Sequence, residues 1–363
     1  MKKILAVYTG GTICSAQSAE KRELSVRTAR RVLLAEFSRC GSEYSPLADE
    51  LLEDSCFPHN ECVLSENMTP KKLFAIAEHI LSFDLSRYRG VIILHGTDTL
   101  AYSASFFSFL LSSLDVPVML VSGAKPPSDE DTNAVANLSC AIELIMEGIA
   151  PSVYVPYRNS DGVMRLYLGS RLLQCANFSS DFFSCDAHSC VALAQKEQVF
   201  DFASAYSASR GGIARFIEES RAKESRVKEN GTQKEALLLD SYVGLDYSRI
   251  SLDGIFAVLH GTYHSGTLCV ERGTPEGEYS SRSVLFLTDE CKKRGIPVFA
   301  APCALDSAQY SSAYDACKNG GVVPLNMTKE SAYAKLLLAQ YIGIEGECLL
   351  EFMKSNIANE HIT

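Results

Sequence analysis

Short apolar runs alternate along the chain with longer stretches of helical period, and the first run, Lys3 to Tyr8, stops abruptly at Thr9-Gly10-Gly11-Thr12. Runs of this length predict strands, and their alternation with helical stretches predicts an α/β fold on a mainly parallel sheet. Two further runs end in the same way. Val91 to Leu94 leads into His95-Gly96-Thr97-Asp98-Thr99, and Val116 to Val121 leads into Ser122-Gly123-Ala124-Lys125. Glycine lets backbone amides approach a ligand closely, and open α/β sheets bind ligands beyond the carboxyl ends of their strands. Three such endings point to one crevice.

Helices are marked by caps as well as by period. Thr69-Pro70 predicts an N-cap with proline at the first helical position, followed by Leu73, Ile76 and Ile80 at helical spacing. His79 falls off that stripe and reads as a surface residue. Leu100 to Leu111 is rich in serine, alanine and phenylalanine, which suits a helix pressed against a sheet. From about Ala205 to Lys234 the sequence turns charged and glycine-bearing with little apolar period, as in a linker. A second α/β pattern follows. Gly254 to Leu259 ends in His260-Gly261-Thr262, an amphipathic helix lies around Leu285 to Lys293, and a strand runs from Ile296 to Ala300. The expected organisation is an N-terminal catalytic domain over 1–204, a linker over 205–234 and a smaller C-terminal α/β domain over 235–363.

Length agrees with two domains, since 363 residues exceed twice the usual domain of about 150. The 47% apolar and 21% charged content is that of a globular chain, and the net charge of -10 argues against a nucleic-acid partner, which needs a basic face. The charged start resembles a signal peptide only superficially, because the apolar run ends at Thr9-Gly10-Gly11. No run approaches the roughly 18 consecutive apolar residues of a membrane span. A cytoplasmic protein without a membrane partner is expected. The 13 cysteines are odd in number and lack a CxxC pair, which predicts free thiols. Cys185, His188 and Cys190 do not follow a zinc spacing, so neither metal nor cofactor is expected.

Neither GxGxxG nor GxxxxGK[ST] occurs at the glycine-rich strand ends, which argues against a nucleotide. What remains are two hydroxyls on glycine turns, Thr12 and Thr97, with the carboxylate of Asp98 beside the second. A hydroxyl becomes a nucleophile when a neighbour takes its proton, and an amide carbonyl needs donors for its developing oxyanion. The backbone amides of Gly11 or Ala124 are candidate donors. Each turn, taken singly, reads first as a plain strand-to-helix connection, and it is their joint occurrence that points to a site.

Thr9-Gly10-Gly11-Thr12-Ile13, together with His95-Gly96-Thr97-Asp98-Thr99 and the following Leu100-Ala101-Tyr102-Ser103-Ala104-Ser105, resembles the two signature motifs of bacterial-type L-asparaginases, and most closely their cytoplasmic type I branch. Weaker likeness extends through Ser65-Glu66-Asn67-Met68-Thr69-Pro70, Ser122 to Leu138, Gly169-Ser170-Arg171 and Asn326-Met327-Thr328 with Ala334-Lys335-Leu336-Leu337. The resemblance implies a two-domain fold that hydrolyses a small amino-acid amide without metal or cofactor. It implies Thr12 as nucleophile and Thr97 with Asp98 as the second catalytic group, with Asp98 also fixing the substrate ammonium. Ser65 and Glu66, which by themselves read first as a capping loop before the helix at Thr69, match substrate-holding positions, as do the glycine turns at Gly11 and Gly96 and the loop at Ala124. It further implies a homodimer or homotetramer whose pockets are closed by a neighbouring copy, with His260-Gly261-Thr262-Tyr263-His264 as the contributing segment; His264 reads equally as a loop histidine. Two activating groups of the family are missing. No tyrosine occurs in Glu20-Lys21-Arg22-Glu23-Leu24-Ser25-Val26, and Gln174 stands where the family's lysine would pair with the threonine and aspartate. Lys125 is the candidate to take over that charge. Degenerate amino-acid binding and ammonia supply within an amidotransferase are the alternative functions.

Overall fold

The apolar runs form the sheets. In the computed structural model, which describes residues 2–17, 22–24, 26–56, 63–111, 113–194, 196–208, 234–273, 279–304 and 310–362, the chain divides into two units. The first comprises Met1–Ile213 with Ile357–Asn359 and the last residue, and the second Ala214–Asn356 with Glu360–Ile362.

In the first unit the strands are β1 (Lys3–Tyr8), β2 (Ser15–Gln17), β3 (Arg22–Leu24), β4 (Leu52–Cys56), β5 (Tyr88–Leu94), β6 (Val118–Val121), β7 (Val153–Arg158), β8 (Met164–Leu168), β9 (Leu172–Leu173), β10 (Phe183–Ser184) and β11 (Cys190–Ala192). Seven of them make the main sheet in the order β11-β8-β7-β6-β5-β1-β4, with β4, β1, β5, β6 and β7 parallel and β8 and β11 added antiparallel. β6 begins two residues later than its apolar run suggests, because Pro117 has no N–H and contributes only its carbonyl, to Val91.

The helices of this unit are α1 (Val26–Phe37), α2 (Ala48–Leu51), α3 (Pro70–Leu81), α4 (Leu100–Leu110), α5 (Ala134–Met146) and α6 (Lys196–Ala208). The Thr69 hydroxyl caps α3 by accepting from the N–H of Lys72, as expected. Leu33, Leu34 and Phe37 of α1 and Leu138, Ile142 and Ile145 of α5 pack on Ile92, Leu94, Met119 and Val121. These strand residues alternate with neighbours that face the opposite side of the sheet. His79, expected at the surface, is instead half-buried, with Nε2 2.6 Å from the hydroxyl of Ser55 on β4.

The second unit carries four parallel strands in chain order, β12 (Glu235–Asp240), β13 (Ile255–Gly261), β14 (Val298–Ala301) and β15 (Val323–Pro324). Its helices are α7 (Val284–Arg294), α8 (Ser311–Tyr314), α9 (Lys329–Tyr341) and α10 (Gly346–Lys354). Lys335 of α9 is wholly buried and ion-paired with Glu360 at 2.5 Å. The expected linker over 205–234 starts inside α6, and 209–233 lies outside the described residues. The tail also departs from the expected division, since Ala358 and Asn359 group with the first unit. Their carbonyls accept hydrogen bonds from Ser170 Oγ at 2.7 Å and Arg171 Nε at 2.5 Å.

Candidate active site

Glycine geometry sets the first motif. Gly10 and Gly11 have φ of 134° and 77°, where L side chains are strained. Space is also closed to a side chain. A Cβ on Gly10 would lie 2.0 Å from the Val63 carbonyl oxygen, and one on Gly11 would lie 2.2 Å from Gly96 Cα. The exits of β1 and β5 thus touch backbone to backbone. The Thr9 hydroxyl and N–H both donate to the Leu94 carbonyl, at 2.7 and 3.1 Å. Gly11 N–H donates to the Val63 carbonyl at 3.1 Å, and Val63 N–H to the Thr9 carbonyl at 2.8 Å. From β1 the chain passes to β4 on one side and then to β5 on the other, so this junction is the topological switch point, where such sheets open a crevice.

The second motif is held against the loop at Ser65. A Cβ on Gly96 would lie 2.3 Å from Ser65 Oγ. The buried Ser65 hydroxyl donates to Asp98 Oδ2 at 2.8 Å and accepts from Asp98 N–H at 3.3 Å, and the Thr99 hydroxyl donates to the Ser65 carbonyl at 3.0 Å. Thr12 and Thr97 are half-buried, and Asp98 and Glu66 are exposed. Gly11, Thr12, Ser65, Glu66, Gly96, Thr97 and Asp98 therefore stand on three loops, the first touching each of the others through backbone and the Ser65 hydroxyl joining the second motif.

The expected oxyanion donors are both engaged. Gly11 N–H is held by Val63, and Ala124 N–H donates to Asn133 Oδ1 at 2.9 Å. Among the described residues, the backbone N–H groups of Thr12, Gly96 and Thr97 carry no hydrogen bond. Sequence reasoning passed over these three amides, which belong to the two glycine turns.

Gln174 sits at the second motif as a structural clasp. Its Nε2 donates to the Thr97 carbonyl at 2.8 Å, and its Oε1 accepts the N–H of Ala101 at 3.2 Å, satisfying one of the open donors in the first turn of α4. Lys125 does not meet Asp98 in this structure. Its ammonium lies 3.2 Å from Asp131 and 3.5 Å from Asp129, on a loop that folds back on itself, and the bond to Asp131 raises its pKa. The compensating charge expected from Lys125 is thus directed at its own loop.

Two buried asparagines that the sequence reading did not single out set this side of the crevice. Asn133 donates from Nδ2 to the Arg158 carbonyl at 2.8 Å, and Asn137 donates to the Ser122 carbonyl and accepts Arg158 N–H, both at 2.9 Å. They bridge the ends of β6 and β7 where strand pairing stops. Their position just after a Gly-Ala-Lys-Pro-Pro turn was the signal available. Elsewhere, Asp186 accepts the N–H groups of His188 and Ser189 at 2.8 and 2.9 Å and pairs with Arg171 at 2.9 Å, so the Cys185, His188 and Cys190 segment is organised around a carboxylate. Among the described residues no cluster of three or more histidine, cysteine or acidic side chains is arranged to hold a metal. The segment 20–26, which lacks the family tyrosine, falls partly outside the described residues.

The family model for the N-terminal asparaginase region matches residues 3–205, more than half of the sequence and all of the crevice. The chain belongs to the asparaginase family. L-asparaginase 1 of Escherichia coli K12 is 31% identical over 192 residues, 50% of each protein. The L-asparaginase of Thermococcus kodakarensis is 29% identical over 174 residues, 47% of each. A glutamyl-tRNA(Gln) amidotransferase component of Pyrobaculum aerophilum is 35% identical over 121 residues, 33% of this chain and 29% of that protein. The matched region spans half or less of each relative. Solved structures extend the likeness of fold to the whole chain. The thermostable T. kodakarensis L-asparaginase aligns with a TM-score of 0.67 at 21% identity over 99% of both chains, and L-asparaginase I of Vibrio cholerae with 0.68 at 22% over 100% and 99%. The asparaginase-like α/β fold, with its large mainly parallel sheet, is therefore that of this chain. No helix among the described residues is long and apolar enough to cross a membrane.

Proposed function

We propose that this asparaginase-family chain is an amidohydrolase that releases ammonia from the side-chain amide of L-asparagine or a related amide, leaving aspartate or the corresponding acid. The observation that supports the reading is the backbone contact of Gly11 with Gly96, which brings the loop of Thr12 against the loop of Thr97 and Asp98, beside three amides with no hydrogen bond among the described residues. In the proposed mechanism Thr12 Oγ1 attacks the amide carbon. The oxyanion is met by the N–H groups of Thr12, Gly96 or Thr97, each such donor being worth about 3 kcal/mol of barrier in comparable sites. The hydroxyl proton passes by way of Thr97 and Asp98 to the leaving nitrogen, the C–N bond breaks and ammonia departs. Water then hydrolyses the Thr12 ester and restores the hydroxyl. Asp98 and Glu66 supply anions for a substrate ammonium, and the Ser65 hydroxyl meets its carboxylate by turning its one proton from Asp98 to the substrate.

The reading includes a homodimer or homotetramer, a cytoplasmic location and no cofactor. A second reading, an amino-acid-binding module without turnover, is favoured by Gln174, since a neutral amide holding the Thr97 carbonyl and Ala101 N–H shuttles no proton. A third, ammonia supply to a transamidation complex, draws on the Pyrobaculum relative. A coupled ammonia assay over a panel of free amides, with calorimetric binding of the same compounds, separates them. Release from a free amide supports the first, binding without release the second, and release only with a co-purifying partner the third.

A further inference from the structure

The triplet His-Gly-Thr closes a parallel strand twice, at 95–97 after β5 and at 260–262 along the end of β13. Both imidazoles are fully buried. In each, Nδ1 lies on the carbonyl oxygen of the following glycine, at 2.7 Å for His95 on Gly96 and 2.8 Å for His260 on Gly261. A carbonyl only accepts, so Nδ1 carries the proton and Nε2 is an acceptor. Burial keeps both rings neutral, lowering the pKa of His95 to about 4. The two copies differ at Nε2. In the second unit the hydroxyl of Tyr247 lies 2.7 Å from His260 Nε2, whereas His95 Nε2 is buried with no partner among the described residues.

Two more orphaned atoms share its layer. The buried hydroxyls of Ser103 and Ser122 have no partner either. β5 and β6 pair with Leu94 opposite Val121, and His95 N–H donates to the Val121 carbonyl, so the register continues to His95 beside Ser122. Ile92, Leu94, Met119 and Val121 face the core with α1 and α5, and strand alternation turns His95 and Ser122 to the other face. On α4, Ser105 donates to the Gly169 carbonyl and Phe106 stacks on Phe74 of α3. At about 100° per residue, Leu100 and Phe107 lie opposite the mean direction of these two contacts, on the sheet side, and Ser103 lies between Phe107 and Phe106. A buried polar atom left unbonded is costly, so three in one layer call for a guest that bonds all of them.

We propose that an ordered water molecule occupies this layer, donating to His95 Nε2 and bonding the hydroxyls of Ser103 and Ser122. A buried water makes about three such bonds, the number this layer offers. It does for His95 what the Tyr247 hydroxyl does for His260. His95 is then a positioning residue. The water fixes the ring, the ring's Nδ1–H fixes the Gly96 carbonyl, and the next amide, Thr97 N–H, is held toward the crevice. These roles belong to the side chains and hold whichever function the crevice performs.

The test is a high-resolution crystal structure together with ¹⁵N NMR of the histidines in the wild type and in Ser122→Val, with Ser103→Ala as the second variant should the first fail to fold. The expected result is ordered density within hydrogen-bond distance of His95 Nε2. In the variant that density is lost and the His95 Nε2 resonance moves toward that of an unbonded ring nitrogen, while Nδ1 stays protonated and His260 is unchanged. Absence of density in the wild type overturns the proposal, as does a His95 Nε2 resonance unmoved in a folded variant.

Discussion

At the scale of single residues, the charge at the crevice separates a working hydrolase from a retained pocket. Asp98 is bound by the Ser65 hydroxyl, Gln174 clasps Thr97 to α4, and Lys125 faces Asp129 and Asp131. Lys125→Gln is therefore expected to leave ammonia release within about twofold of wild type, because an exposed ion pair on its own loop contributes little. Gln174→Lys keeps a donor for the Thr97 carbonyl but loses the acceptor for Ala101 N–H. It is expected to lower stability by about 1 kcal/mol and to raise turnover if a cation is what the site lacks. Steady-state rates and a denaturant midpoint on the two variants check this pair. A large loss of activity in Lys125→Gln would show that its ammonium leaves the acidic loop during the reaction. The family resemblance drew Thr12, Thr97, Asp98, Ser65 and Gln174 to one site, and their loops meet in the fold. What could not be read was the hydrogen bonding of individual amides, since Gly11 and Ala124 N–H are taken by Val63 and Asn133, groups far from them in sequence.

Elements were read best where a single apolar run carried the pattern. β1, α3, α4 and α7 fall within a residue or two of expectation because each has a cap or a glycine at its end and a core-facing period in between. α1 and β4 escaped notice, as their stretches are charged and the helix rests only a few side chains, Leu33, Leu34 and Phe37, on the sheet. The antiparallel edge made by β8 and β11 was missed as well, because edge strands bury one face and lack the continuous apolar run of central parallel strands. The junction of β6 and β7 depends on Asn133 and Asn137 rather than on strand pairing. Asn137 is fully buried and bonded at both ends of its amide, so Asn137→Leu removes two bonds and leaves the Ser122 carbonyl and Arg158 N–H unpaired. The expected loss is about 2–4 kcal/mol, visible as a lower denaturant midpoint with an unchanged slope. A loss below about 1 kcal/mol would mean that the two strand ends hold together without it.

For the whole molecule, the two parallel sheets carry the same strand-ending triplet, and both buried histidines are held neutral. Their folded pKa values lie below the unfolded value of 6.5, so the unfolded chain binds protons first as pH falls. Stability is then fully present above about pH 6.5 and declines toward pH 4, by up to about 3 kcal/mol for His95 alone. Chemical unfolding at a series of pH values reads this directly. A level or rising stability between pH 6.5 and 4 would contradict neutral burial of the two rings. The central claim, that the crevice at the β1–β5 switch point is a threonine-dependent amide hydrolase, is tested most directly by ammonia release from free amides in wild type and Thr12→Ala. The expected result is release by the wild type and a loss of more than tenfold in kcat, at least about 1.4 kcal/mol of barrier, in a variant that folds normally. Wild-type release that persists in Thr12→Ala at more than a tenth of its rate would contradict it.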